Sequence, residues 1–297
     1  MKLRLSQFNH QVKTSFINPM TDDFQSLLAQ IQQEHYRDLY DPEANSTVSL
    51  SDVVNKVLEG FKVGNSTICH LRYLWMTLIL TLAVEPTLEY YYPNDFLTKD
   101  IITSLELWII NFYKSNTIDK KYKNNLINDW YNKVIEHYDS LPYPEVVSFQ
   151  VIYEAIDVFQ NAIRVFDYDQ AKEALLEILE DCLEGYAIFP GSEGRRDLFD
   201  WWLLEVVPAS WNLSPIKSFY VVDKLINQDQ ITIHQKKSLE KVSKMLESKL
   251  LENSDILRDS DNKYKFDQFF HNFSSSYDIL KKYDNHTLVN DYVLRIK

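Results

Sequence analysis

The sequence predicts an all-α fold, an irregular bundle of about ten helices, from apolar residues that recur at helical pitch along most of the chain. Two further observations support this. Only 5 glycines and 9 prolines occur in 297 residues, too little turn chemistry for a many-stranded protein. The greasiest stretch, Tyr73 to Val84, is apolar nearly all round, so other helices must surround it. It falls short of the roughly 20 residues needed to cross a bilayer, and no membrane span is expected.

Taken in order, the first helix is expected over Thr21–Tyr40, with Thr21 as N-cap, Asp22 and Asp23 in the first turn, and Phe24, Leu27, Leu28 and Ile31 on one apolar face. Ser51 is the expected cap of a short helix with Val53, Val54, Val57, Leu58 and Phe61 inward, ending near Gly64. The apolar helix should run from Thr67 and stop at Pro86. A helix with Ile101, Ile102, Leu105, Trp108, Ile109 and Phe112 on one side follows, then an amphipathic one over Asp119–Tyr138.

The link Asp139-Ser-Leu-Pro-Tyr-Pro144 is the clearest break. It divides an N-terminal helical part, 1–140, from a C-terminal part, 145–297, within what reads as one continuous globule. Helices over Glu145–Phe166 and Asp169–Glu184 share so short a linker that they must fold back as a hairpin, with Gly185 at the C-terminal cap. Further helices are expected over Leu198–Val207, over Pro215–Asn227 with Ser214 as cap, and over Thr232–Glu252 with Thr232 and Gln235 as a capping box. Leu3 and Leu5 near the start and Tyr292–Ile296 at the end alternate like short strands and could form a minor terminal pair.

Within the hairpin, Asp167-Tyr-Asp-Gln-Ala171 resembles the turn between the two helices of a tetratricopeptide repeat, with Ala171 at the small position. Phe159, Ile178 and Leu183 depart from that pattern and no second copy lies 34 residues away, so the resemblance implies helix-pair packing and no more.

Charge narrows the partners. Forty-three acids against 31 bases leave a net charge of −12, which disfavours nucleic acid and suits a basic protein. Tyr (19), Phe (16) and Trp (6) are abundant enough to supply an aromatic contact surface as well as a core. Cys69 and Cys182 could form at most one bridge and have no metal or redox spacing. No apolar leader follows Met1, so the chain reads as cytoplasmic, and the sequons at Asn45, Asn65, Asn212, Asn272 and Asn285 as accidents of composition.

Three segments carry candidate chemistry. On the helix from Asp169, the residues Asp169, Glu173, Glu177 and Asp181 fall at successive i, i+4 steps, joined by Glu180 and Glu184. Like charges at that spacing cost roughly 0.2–0.5 kcal/mol each, so solvent, a returning Arg195 or Arg196, or a basic partner must compensate. The loop Gly191-Ser-Glu-Gly194 with Arg195 and Arg196, among which Ser192 adds a hydroxyl, could cradle a phosphate or carboxylate ahead of a helix.

Asn128, Asn132 and Glu136 lie on one helical face at ligand spacing. They resemble the second metal motif of class I terpene synthases, with Asn132 in place of the usual Ser or Thr. That resemblance implies Mg²⁺ beside a diphosphate. No paired histidines, serine-hydrolase elbow or complete nucleotide motif accompany these segments, and no cofactor is expected. The leading expectation is a non-enzymatic protein-interaction module, of the bacterial immunity or antitoxin type, that binds a basic effector. The alternative is an all-α enzyme or ligand-binding protein using the metal or anion site.

Overall fold

The computed structural model describes residues 20–40, 49–62, 65–93, 95–112, 120–141, 149–188, 195–220 and 228–252. These are all-α, with no strand among the described residues. The terminal segments expected to pair as strands lie outside them.

Helix α1 (Asp22–Tyr40) starts as expected, the Thr21 hydroxyl accepting the Phe24 N–H at 3.3 Å. Helix α2 (Leu50–Gly60) is capped two residues earlier than expected. Ser49, not Ser51, has the extended backbone that aims its hydroxyl at the Asp52 N–H, 3.1 Å away, and the helix ends at Gly60 rather than near Gly64. Glycine is needed at position 60 because a Cβ there would overlap the Phe24 ring.

Helix α3 (Ser66–Tyr91) is the axis of the fold. Every residue from Cys69 to Glu85 is buried, against α4 (Leu97–Ile110), α6 (Phe149–Arg164), α7 (Tyr168–Leu183), α9 (Val207–Asn212) and α10 (Gln228–Glu252). Its length and apolarity would suit a bilayer span, yet its surface is spent on other helices. Thr77 and Thr81 return their hydroxyls to carbonyls one turn back, so their burial leaves no donor open.

The expected stop at Pro86 is corrected: the helix runs through it to Tyr91. A proline cannot donate to the carbonyl four residues earlier, here Leu82. The Gln235 side-chain amide, from α10, donates to that carbonyl at 2.6 Å in a buried setting. Gln235 is therefore not part of a capping box, and α10 begins at Gln228, ahead of Thr232.

A second proline behaves alike. The helix expected to end at Val207 continues across Pro208, as α8 (Arg195–Trp201), a π-helical turn (Trp202–Val206) and α9. The Val207 N–H reaches back five residues to Trp202, the register shift that a proline at the next position accommodates. Leu213 then closes α9 in the left-handed region, φ 49°.

The helix expected from Pro215 is corrected in its first part, since Ser214–Tyr220 is not helical. Two indoles hold this segment in place, Trp75 donating to the Ser214 carbonyl at 3.0 Å and Trp201 to the Ser218 carbonyl at 2.9 Å, while Ile216 and Phe219 are buried.

Helix α5 (Lys120–Ser140) packs on α6, and one connected set of buried apolar side chains extends from Phe24 to Leu246. Both cysteines are buried and free. Burial pushes both thiols up, which removes them as nucleophiles.

Candidate functional site

The α6–α7 hairpin carries the residues that the sequence marks for partner binding. Its turn is fixed from both sides. Asp167 caps α7, its carboxylate accepting the Asp169 N–H at 3.2 Å and the Gln170 side-chain amide at 3.2 Å. His70 lies 2.7 Å through Nε2 from the Val165 carbonyl; a carbonyl only accepts, so Nε2 carries the proton. Burial lowers the pKa of this imidazole to about 4, and it is neutral at physiological pH. The helix-pair packing implied by the repeat-like turn is present, with Ala171 buried and the inward face of α7 formed by Ala171, Ala174, Leu175, Ile178, Leu179 and Cys182.

The structure divides the acidic stripe. Asp169, Glu173, Glu180 and Glu184 are exposed. Glu177 is engaged by Arg164 of α6 at 2.6 Å, and Asp181 is half-buried, burial and then the nearby Asp157 pushing its carboxyl up to about 8. A compensating cation for Glu177 is thus Arg164, from across the hairpin. The pair is half exposed on the Glu177 side, which limits it to about 0–1 kcal/mol. Arg164 is the last residue of α6 and Glu177 lies well into α7, so the two are not equidistant from the turn and hairpin spacing does not reveal the pair.

One feature was not anticipated. Phe149 and Tyr153, one turn apart at the start of α6, are 46% and 60% exposed with their rings stacked at 6.1 Å. Asp157 lies one further turn along the same row. Glu154, beside Tyr153, accepts the Tyr186 N–H just past the end of α7, so the aromatic pair sits at the end of the hairpin where Glu180 and Glu184 project.

The other candidate residues are described only in part. Gly191, Ser192 and Gly194 lie outside the described residues. Arg195 opens α8 with its guanidinium 5.5 Å over the Tyr186 ring, and Arg196 is exposed. Asn128, Asn132 and Glu136 share a face of α5, as their spacing requires, and that face is exposed to solvent. Among the described residues no three His, Cys, Asp or Glu side chains group as metal ligands.

A buried cluster elsewhere superficially resembles catalytic machinery. Asp95 accepts from His137 Nε2 at 3.1 Å, from the Leu97 N–H at 3.1 Å and from the Thr98 hydroxyl at 3.0 Å, with the Tyr138 hydroxyl at 3.3 Å. Burial alone would raise this carboxyl, but the hydrogen bonds and His137 hold it below the usual aspartate value. Leu97 and Thr98 cap the start of α4 on this carboxylate, and His137 and Tyr138 tie it to the end of α5.

Comparisons with family models, with curated proteins and with solved structures returned no match, so the outer face of the α6–α7 hairpin stands as the candidate site on its geometry alone.

Proposed function

We propose that this chain is a non-enzymatic protein-interaction module that binds a basic partner across the outer face of α6 and α7. The observation that carries the reading is the exposed, stacked Phe149–Tyr153 pair at the end of the hairpin that also bears the exposed carboxylates Glu180 and Glu184. Aromatic side chains with large exposed area supply affinity once desolvated, and surrounding charges supply steering and partner choice. The net charge of −12 acts in the same direction over longer range.

An immunity- or antitoxin-type role, neutralising a basic effector, is the most specific form of this proposal, and its warrant is compositional. An enzymatic role through Asn128, Asn132 and Glu136 is less supported, because those side chains point outward from α5.

The test is a paired capture from the native host, using wild type and the Tyr153→Ala, Glu180→Lys, Glu184→Lys variant. A basic protein retained by wild type, lost from the variant and released by salt supports the reading. Identical captures by both proteins would falsify it. Glu177 and Asp181 are left unchanged because the first is paired with Arg164 and the second is half-buried, so changing either would confuse folding with binding.

A further inference from the structure

Arg72 is a charged side chain in the core, 2% exposed on the axial helix α3. Its Nε donates to the Trp211 carbonyl at the end of α9, 3.0 Å away, and its guanidinium carbon lies 3.6 Å over the Trp211 ring. That ring is stacked in turn on Phe24 of α1, with centroids 4.8 Å apart. Trp75, three residues further along α3, donates to the Ser214 carbonyl and so pins the chain leaving α9 to the same helix. The guanidinium plane is therefore held by one hydrogen bond and one stacking contact, against a backbone that is itself fixed.

These contacts use Nε and one face of the group. The edge formed by the two terminal nitrogens has no hydrogen-bond acceptor and no carboxylate partner among the described residues. Burial lowers the pKa of Arg72 only to about 10, so it stays a cation at neutral pH. Cys69, the neighbour able to carry an opposite charge, stays a thiol because burial raises its pKa. A buried cation with no counter-charge is costly, and cores ordinarily pair such groups or bind an ion to them. Other buried charges in this chain follow that rule, Glu106 meeting Lys241 at 3.0 Å and Asp95 meeting His137 at 3.1 Å.

We propose that Arg72 is the floor of an oxyanion-binding site, its terminal N–H groups taking two oxygens of one phosphate or carboxylate group. A planar guanidinium already fixed in orientation matches that oxygen spacing with two parallel hydrogen bonds, whereas an ammonium offers only a point charge. The site belongs to α3 and α9 and does not rest on the partner-binding reading of the α6–α7 hairpin.

The experiment titrates the full chain with inorganic phosphate and, separately, with acetate, each against chloride at equal ionic strength. Tm and the ¹H–¹⁵N resonance of the Arg72 Nε–H are followed together. In wild type at least one anion should raise Tm by several degrees, saturating with concentration, and shift that resonance. A response to phosphate alone supports the site as one for phosphate groups, and a response to acetate supports it as one for carboxylates. Arg72→Lys keeps the charge but not the paired geometry and should bind the same anion about tenfold more weakly, the worth of one charge-assisted hydrogen bond. Arg72→Met should not respond. Equal Tm gains in wild type and Arg72→Met would overturn the site, since the anion would then act elsewhere. An Arg72 resonance unmoved by both anions would also overturn it, and this readout stands even if the variants fail to fold.

Discussion

Gln235 shows how a single side chain lets a helix pass a proline. It occupies the Leu82 carbonyl that Pro86 leaves without a donor. Gln235→Leu should cost about 1–3 kcal/mol in urea unfolding, because a buried acceptor loses its donor. Pro86→Ala restores a backbone N–H to that carbonyl. The loss from Gln235→Leu should therefore be much smaller in the Pro86→Ala background, and a double-mutant cycle with additive terms would contradict this role.

Gly60→Ala is the second residue-scale case. Helix propensity favours alanine by about 1 kcal/mol. Here the added methyl meets Phe24, whose ring is stacked on Trp211 at 4.8 Å and so has little room to yield. A net loss of about 1–3 kcal/mol is expected in the same assay, the usual range for overpacking.

At the scale of elements, the start of α4 depends on Asp95. Its folded pKa lies below the ordinary aspartate value, so its contribution is present above pH about 4 and is lost as pH falls through the folded value. Asp95→Asn should lower Tm at pH 7 and narrow the gap to wild type at pH 3, and a gap that did not narrow would show that the carboxylate is not the group at work. Helix α10 docks by polar contacts of a similar kind. Ser238 and Lys241 bond the buried Glu106 carboxylate, and His234 faces Glu85 at 3.5 Å.

These contacts also separate what was readable in the sequence from what was not. Helical pitch located the elements, the all-round burial of α3 and the hairpin, because those follow from local periodicity. Pro86 and Pro208 misled because the groups that make a proline tolerable come from elsewhere in the fold or from a π turn. Ser214–Tyr220 misled because a serine-proline start was outweighed by two indole hydrogen bonds from Trp75 and Trp201. At the candidate site, the acids of α7 were evident, but their division into exposed and half-buried groups needed the position of α6. The exposure of Phe149 and Tyr153 was not legible at all, since an aromatic at helical spacing usually faces a core.

For the molecule as a whole, a dry interior built around α3 supports an outward face on α6 and α7 that combines aromatic and acidic side chains, the face proposed to bind a partner. Hydrogen–deuterium exchange of the full chain with and without the captured partner tests it most directly. New protection is expected in α6 and α7, including the turns bearing Tyr153 and Glu180, with α10 unchanged. Protection confined to α5 or α10, with both hairpin helices unaffected, would contradict it.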